Sequence, residues 1–391
     1  MFDYMLDLPV KVKFGSGALD ELGILTAGFG KKAFLLHDPF LRGSKMLERI
    51  RDMLAENGAD AVCFDDVEPN PRVSTIDAAA MTCWKEGCDV VIGIGGGSAI
   101  DSAKATCIVA KNGGSAWDYT EREGVSAHST EKGRLPLIAI PTTSGTGTEV
   151  TPFAVVNNQS LHTKAAISLP ECYADVAVVD PVIMASMPPS VTANTGIDAF
   201  AHALEAYISD IPTPLTDALC LNAIRLFAEN IEKCVQHGDD LNARANMALC
   251  SLYAGIGIGH ASTTLPHAIA QALGGYKDVP HGMAITSCIL NVIRWTLPCA
   301  QEKLARVAEI FDPTLAGRPE SERAASLPDI LDDLFLRLMG GKRVTMGSLG
   351  LAAQEAETVA KLVMECYYGD CLLHPKQPQR EDILALIRQS I

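Results

Sequence analysis

The chain has 391 residues, of which 48% are hydrophobic and 20% charged, and it carries a formal net charge of −15. That length predicts two domains, and the composition is that of a well-packed globular protein. The acidic balance argues against nucleic acid and anionic membranes as partners, and no stretch reaches the ~18 apolar residues of a spanning helix.

In chain order, the start Met1-Phe2-Asp3-Tyr4 lacks the basic flank and apolar run of a signal peptide. Short apolar runs then predict strands at 32–36, 61–64, 89–94, 135–140, 164–168 and 176–179. Amphipathic helical patterns lie between several of them, at 45–57 and 74–86. Strands alternating with helices imply a mostly parallel sheet covered on both faces, so residues 1–185 read as an α/β dinucleotide-binding domain. The polar stretch 112–134 reads as a surface excursion. From Met187-Pro188-Pro189-Ser190 the pattern turns helical, with helices predicted at 214–236, 242–258, 298–310, 326–339, 353–365 and 380–389. Residues 186–391 therefore read as an all-helical domain. The twelve cysteines include no CxxC pair and are read as reduced thiols, which with the missing export signal points to the cytoplasm.

Two loops have the composition of a phosphate cradle. The apolar run Val90-Val91-Ile92-Gly93-Ile94-Gly95 leads into Gly96-Gly97-Ser98 and a helix start, so glycines without Cβ and free helix N–H groups would meet an anion. The next strand is followed by Pro141-Thr142-Thr143-Ser144-Gly145-Thr146-Gly147-Thr148-Glu149-Val150-Thr151, rich in hydroxyls and glycine. Neither is a Walker loop, and together they suit a dinucleotide crevice. Asp38, just past a predicted strand end, is placed to bind a ribose hydroxyl and to disfavour a 2′-phosphate, which selects NAD over NADP.

In the helical half, Asp198 and His202 lie four apart on one predicted helix face, and His267 and His281 follow downstream. One carboxylate and three imidazoles, from a chain with nine histidines, suit Fe(II), Zn(II) or a similar divalent ion. Glu205 repeats less well on the same helix and reads as structural.

These motifs, together with Asp101 and Lys104 behind the glycine loop, Asp180-Pro181, Glu205-Ala206-Tyr207, Pro280-His281-Gly282, Leu349-Gly350 and His374-Pro375, resemble the iron-containing (group III) alcohol dehydrogenases. The resemblance spans nearly the whole chain. It implies a dehydroquinate-synthase-like fold, Asp198, His202, His267 and His281 as metal ligands, and a homodimer or larger homo-oligomer. It also implies cofactor contacts from Asp38, Asn70, Gly96, Gly97, Ser98, Asp101, Thr142, Thr143, Thr151 and Lys164. The chain departs from the family pattern at Gln271, where many members carry a second histidine, and at His260, where asparagine is usual. Gln271 can hydrogen-bond but cannot titrate, so the proton path past His267 and His281 is left open, with His260 a candidate substitute.

The function this implies is a metal-dependent, NAD-linked alcohol dehydrogenase or aldehyde reductase for a small polar primary alcohol or aldehyde. Gln271, Thr263 and Thr264 hint at a polar or anionic substrate tail. The alternatives are a dehydroquinate-synthase-like carbon–oxygen lyase using NAD transiently, and a catalytically silent metal- or nucleotide-binding protein.

Overall fold

The computed structural model describes residues 4–122 and 124–391. Its elements, in chain order, begin with β1 (Lys11–Phe14), α1 (Leu22–Ala27), β2 (Lys32–His37), α2 (Lys45–Glu56), β3 (Asp60–Phe64), α3 (Val73–Glu86), β4 (Val90–Gly95) and α4 (Gly97–Asn112). There follow β5 (Leu137–Pro141), β6 (Phe153–Asn158), β7 (Thr163–Ser168), β8 (Val176–Val179) and α5 (Pro181–Met184).

The main sheet has the order β1-β8-β5-β4-β2-β3, and every neighbouring pair is parallel. Alternate strand residues (Ala33, Leu35, Val90, Ile92, Ile138, Ile140) turn one face onto Leu22 of α1 and Ile50 and Leu54 of α2. The other face receives α4, where a Cβ on Gly93 would stand 2.7 Å from that of Ala103. From β2 the chain steps outward to β3, then returns to place β4 on the opposite side of β2. That reversal is a switch point, where the strand ends leave a crevice.

Two strands escape the hydrophobic pattern. β1 has four residues, KVKF, half of them exposed, at the sheet edge beside β8. β6 ends in Asn157-Asn158 and pairs antiparallel with β7 in a separate two-stranded sheet, so the 164–168 run does not join the parallel sheet. Both signals are weak because neither strand is fully covered.

The helical unit holds α6 (Pro189–Ile208), α7 (Pro214–Gln236), α8 (Leu241–Ala261), α9 (Leu265–Lys277) and α10 (His281–Thr296). After these come α11 (Gln301–Phe311), α12 (Glu320–Leu338), α13 (Ala356–Cys366), α14 (Tyr368–Leu372) and α15 (Arg380–Gln389). Proline opens α6, α7 and α9 where its missing N–H is harmless. α6 is buried without a break from Gly196 to Ile208 and forms the middle of this core. Phe200 stacks on Phe227 at 5.1 Å and meets Phe311 and Phe335 edge-on. The buried Arg244 steadies the start of α6, donating to Thr192 Oγ1 (2.8 Å) and to the Met187 carbonyl (3.2 Å).

The two compact units are Asp7–Thr143 with Thr148–Ser186, and a helical unit that takes in Met187–Ile391 and also Ser144–Gly147. A boundary at 185/186 does not anticipate the recruited tetrapeptide. Its cause is close backbone contact: a Cβ on Gly255 of α8 would lie 2.5 Å from the Gly147 carbonyl oxygen, and one on Gly145 would lie 2.7 Å from Thr195 Cβ.

Candidate metal centre

α6 presents Asp198 and His202 one turn apart, α9 brings His267 in its first turn, and α10 opens with His281. One donor atom from each lies within 4.8 Å of all the others. Asp198 Oδ1 stands 3.7 Å from His267 Nε2 and 3.5 Å from His281 Nε2. The His202 and His267 rings stack at 4.5 Å, and those of His267 and His281 lie 5.1 Å apart. Asp198, His202 and His267 are buried, while His281 is partly open.

These distances are too long for hydrogen bonds. They suit instead the edges of a coordination polyhedron, because metal bonds of about 2.1 Å in a tetrahedron separate the donors by about 3.4 Å. Asp198 Oδ1 and His267 Nε2 are buried with no hydrogen-bond partner, which is expensive unless a cation completes them. The opposite ring nitrogens are already engaged: His202 Nδ1 faces the Gly145 carbonyl oxygen at 3.4 Å, and His267 Nδ1 meets Glu205 Oε1 at 2.6 Å. Burial pushes His267 down to about 3, with His202 adding to the effect, so its ring is the neutral base a metal needs. Burial opposes ionisation of Asp198, yet the pull of His202, His281 and His267 holds its carboxyl below the usual carboxylate range. The residues present therefore fit a divalent ion.

Glu205 is more than a structural helix residue. It is fully buried one turn beyond His202, and Oε2 accepts from Thr264 N (2.7 Å), Thr264 Oγ1 (3.1 Å) and His267 N (3.4 Å). Burial pushes its carboxyl up to about 8, against these donors. Behind Thr264 lies His374, whose Nδ1 is 3.0 Å from Thr264 Oγ1 and whose Nε2 is 2.7 Å from Thr296 Oγ1. Thr264 is thus buried in this chain of contacts and unavailable to a substrate, which removes it from the residues hinting at a polar tail. The sequence signal for Glu205 and Thr264 is slight, since they come together from different helices.

Burial pushes His374 down to about 3, with Lys376 acting in the same direction. Above pH about 6.5 both folded and unfolded states hold this ring neutral, so it adds no pH dependence. Below that, the unfolded chain takes up a proton that the folded one refuses, and stability falls toward pH about 3 by up to about 1.4 kcal/mol per pH unit. Thermal unfolding of metal-free protein between pH 7.5 and 5 should therefore lose stability less steeply in His374→Asn than in the wild type. Equal slopes would contradict a neutral buried ring.

Gln271 follows His267 by one turn of α9 and is half-buried. His260 closes α8, and its Nδ1 lies 2.8 Å from the Ile256 carbonyl oxygen of the same helix. That contact ties one ring nitrogen to backbone, the role a histidine at a helix end commonly takes.

In the α/β unit, Asp38 and the glycine loop meet at the switch point, where Asp38 Oδ2 accepts from Gly96 N at 2.8 Å. No side chain caps the N-terminus of α4, so Gly97 and Ser98 open an anion-binding helix end. A Cβ on Gly96 would touch Thr143 at 3.5 Å, and Thr142 Oγ1 is buried without a partner, as a ligand-facing hydroxyl would be. Other predicted cofactor residues are engaged within the protein. Asp101 accepts from Thr148 Oγ1 (2.6 Å) and Val155 N (3.0 Å), and Thr151 joins the buried Lys104 ammonium at 3.2 Å. Lys164 donates to Asn70 Oδ1 at 2.6 Å, with Asn70 in the left-handed region (φ 59°).

Comparison with known proteins finds relatives along nearly the whole chain. The profile described as iron-containing alcohol dehydrogenase matches residues 9–181, and that of the C-terminal region of the Fe-containing alcohol dehydrogenase family matches 192–391. The 1,3-propanediol dehydrogenase of Klebsiella pneumoniae is 33% identical, covering 100% of this chain and 99% of its own length. The NAD-dependent methanol dehydrogenase of Bacillus methanolicus is 34% identical over 98% of this chain and 99% of its own. The crystal structure of an archaeal halo-thermophilic alcohol dehydrogenase from a Red Sea brine pool superposes with a TM-score of 0.93 at 31% identity, covering 100% of both chains.

Proposed function

Because the chain belongs to the iron-containing alcohol dehydrogenase family, we propose that it is an NAD-linked dehydrogenase of small polar primary alcohols that also reduces the matching aldehydes. The observation that carries this is the cluster of Asp198, His202, His267 and His281, with two buried donor atoms that have no hydrogen-bond partner. These four would hold the ion; Fe(II) is favoured by the family, and Zn(II) is acceptable to the same donors. When bound, the ion supplies Lewis acidity that lowers the pKa of an alcohol, and the nicotinamide takes or gives the hydride.

The protein's own groups do the rest. Asp198 supplies the negative charge at the site, while the neutral histidines leave a cation electrophilic. Glu205 holds His267 Nδ1 and so turns Nε2 inward. Gly96, Gly97, Ser98 and Thr142 would cradle a diphosphate, and the Asp38 carboxylate at the end of β2 would favour a ribose hydroxyl over a 2′-phosphate. Asp101, Thr151, Asn70 and Lys164 would shape that pocket, through the internal contacts described above. Thr143, beside Gly96, belongs with these cofactor contacts; Gln271 is the polar group we assign to orienting the substrate, and His260 has a structural role at the end of α8.

The similarity to a 1,3-propanediol dehydrogenase and an NAD-dependent methanol dehydrogenase supports a small alcohol as substrate. The family does not favour the carbon–oxygen lyase. The free thiols of all twelve cysteines suit the cytoplasm, and no helix among the described residues is long and apolar enough to cross a membrane. A homo-oligomer remains part of the proposal on family grounds.

The test is anaerobic oxidation of NADH by metal-stripped protein reloaded with Fe(II) or Zn(II), across short aldehydes. Metal-dependent loss of NADH absorbance is expected. NADH that binds but is never consumed, with any metal or aldehyde, would favour the silent binding protein.

A further inference from the structure

We propose that His374 is a positioning residue for the metal centre, acting through Thr264 and Glu205 on the ring of His267. The inference rests on the reading that the four-residue cluster holds a divalent ion.

His374 lies in the bend after α14, is fully buried, and is stacked on Trp295 with ring centroids 6.0 Å apart. Lys376 Nζ sits 3.9 Å from the Trp295 centroid and donates to the Trp295 carbonyl, holding that wall in place. The ring contacts a hydroxyl at each nitrogen, and counting hydrogens gives the chain a direction.

For His267 to offer Nε2 to an ion, its single proton must be on Nδ1, donated to Glu205 Oε1 at 2.6 Å, and the bound cation favours the ionised carboxyl that burial alone opposes. Glu205 Oε2 then accepts the Thr264 N–H and the Thr264 hydroxyl proton. That hydroxyl has only one hydrogen, already directed at Glu205. The 3.0 Å contact with His374 is therefore favourable only if His374 Nδ1–H donates to Thr264 Oγ1. A neutral His374 then presents a bare Nε2, and the 2.7 Å contact with Thr296 Oγ1 is favourable when that hydroxyl turns its one hydrogen to Nε2 and away from the Val292 carbonyl, its 2.8 Å alternative within α10. The donors thus run from Thr296 to His374 to Thr264 to Glu205, where His267 meets them from the other side.

The consequence is mechanical and electronic. Thr264 caps the entry to α9 three residues before His267, and its two bonds to Oε2 keep Oε1 turned toward the ligand ring. A donor at position 374 polarises the Thr264 hydroxyl, strengthens its bond to the carboxylate, and holds its rotor in one orientation. Removing that donor loosens Glu205 and leaves His267 a weaker, less fixed ligand.

The experiment loads the full chain with Co(II), records the visible ligand-field absorption, and follows metal loss to excess chelator at pH 7.5. His374→Phe keeps a flat ring against Trp295 without either nitrogen, and His374→Leu repeats the deletion should the Phe variant not fold. His374→Asn places an amide N–H near the lost Nδ1. Trp295→Phe changes the packing and leaves the chain of hydrogen bonds intact. Thermal unfolding of each variant checks that it is folded.

The deletion should release Co(II) about 10-fold faster, the low end for outer-shell partners of a metal ligand, with a shifted absorption band. His374→Asn should restore release to within about 2-fold of the wild type, and Trp295→Phe should leave release and spectrum unchanged. If deletion and Asn variants behave alike, whether both impaired or both like the wild type, His374 only fills space and the proposal is overturned. If the wild type takes up no Co(II) at all, the metal reading itself fails and this inference falls with it.

Discussion

Asp198→Ala is expected to abolish metal retention and to lower kcat/KM at least ~10³-fold, about 4 kcal/mol of transition-state stabilisation. Asp198 is the anionic member of the cluster, 3% exposed, with Oδ1 facing His267 Nε2 and His281 Nε2 rather than a hydrogen-bond donor. Its removal leaves three neutral imidazoles to hold a dication with no balancing charge. The metal-free protein should not suffer in proportion. A buried carboxylate without hydrogen bonds at one oxygen is costly by itself, so alanine should leave the apo-protein as stable as before or more so. The difference shows in the holo form: an ion at 1,000 times its Kd stabilises the native state by about 4 kcal/mol, and that gain should vanish in the variant. Paired thermal scans with and without Zn(II), beside steady-state kinetics, check both halves. A variant that keeps its metal-induced rise in Tm would contradict the ligand role of Asp198.

Gly95→Ala should cost about 3 kcal/mol of stability and weaken NADH at least ~100-fold. Gly95 ends β4 at φ +152°, where a Cβ would fall 2.2 Å from Asp38 Oδ2 and 2.7 Å from Ala99 Cβ. Its carbonyl also accepts from Thr142 N at 2.9 Å, so one residue joins Asp38, the start of α4 and the threonine loop. The neighbouring substitution separates fold from cofactor. Gly96 has φ −76°, and a Cβ there meets only Thr143 at an ordinary 3.5 Å. Gly96→Ala should therefore cost less than about 1 kcal/mol in denaturant unfolding while still weakening NADH, since its methyl stands where a phosphate would approach the backbone. NADH titration by fluorescence measures the second effect. Unchanged NADH affinity in Gly96→Ala would show that the loop does not contact the cofactor.

Much of this was legible from the chain because the relevant patterns are local. Asp198 and His202 share a helix face by spacing alone, and the glycine run after an apolar strand announces a tight turn with a helix behind it. Proline at the first helical turn set the starts of α6 and α7. The pattern misled where local and tertiary signals part. The pattern predicts a helix from 326, yet α12 starts at Glu320 and runs through Pro328. β1 is too short and exposed to display periodicity, and the β6–β7 hairpin is half polar. Glu205 reads as merely structural in the sequence because its role depends on Thr264 and His267, 59 and 62 residues away. Thr264 was misread for the same reason: a threonine before a candidate ligand looks like a pocket residue until its hydroxyl is found on Glu205 and His374.

The most direct test of the central claim is an anomalous-difference map from crystals of Zn(II)-reloaded protein, with data on both sides of the zinc edge. A single strong peak bonded to one Asp198 oxygen and to nitrogens of His202, His267 and His281, at about 2.0–2.2 Å, is the predicted result. A map with no peak among these residues, or with its main peak elsewhere, would contradict the account.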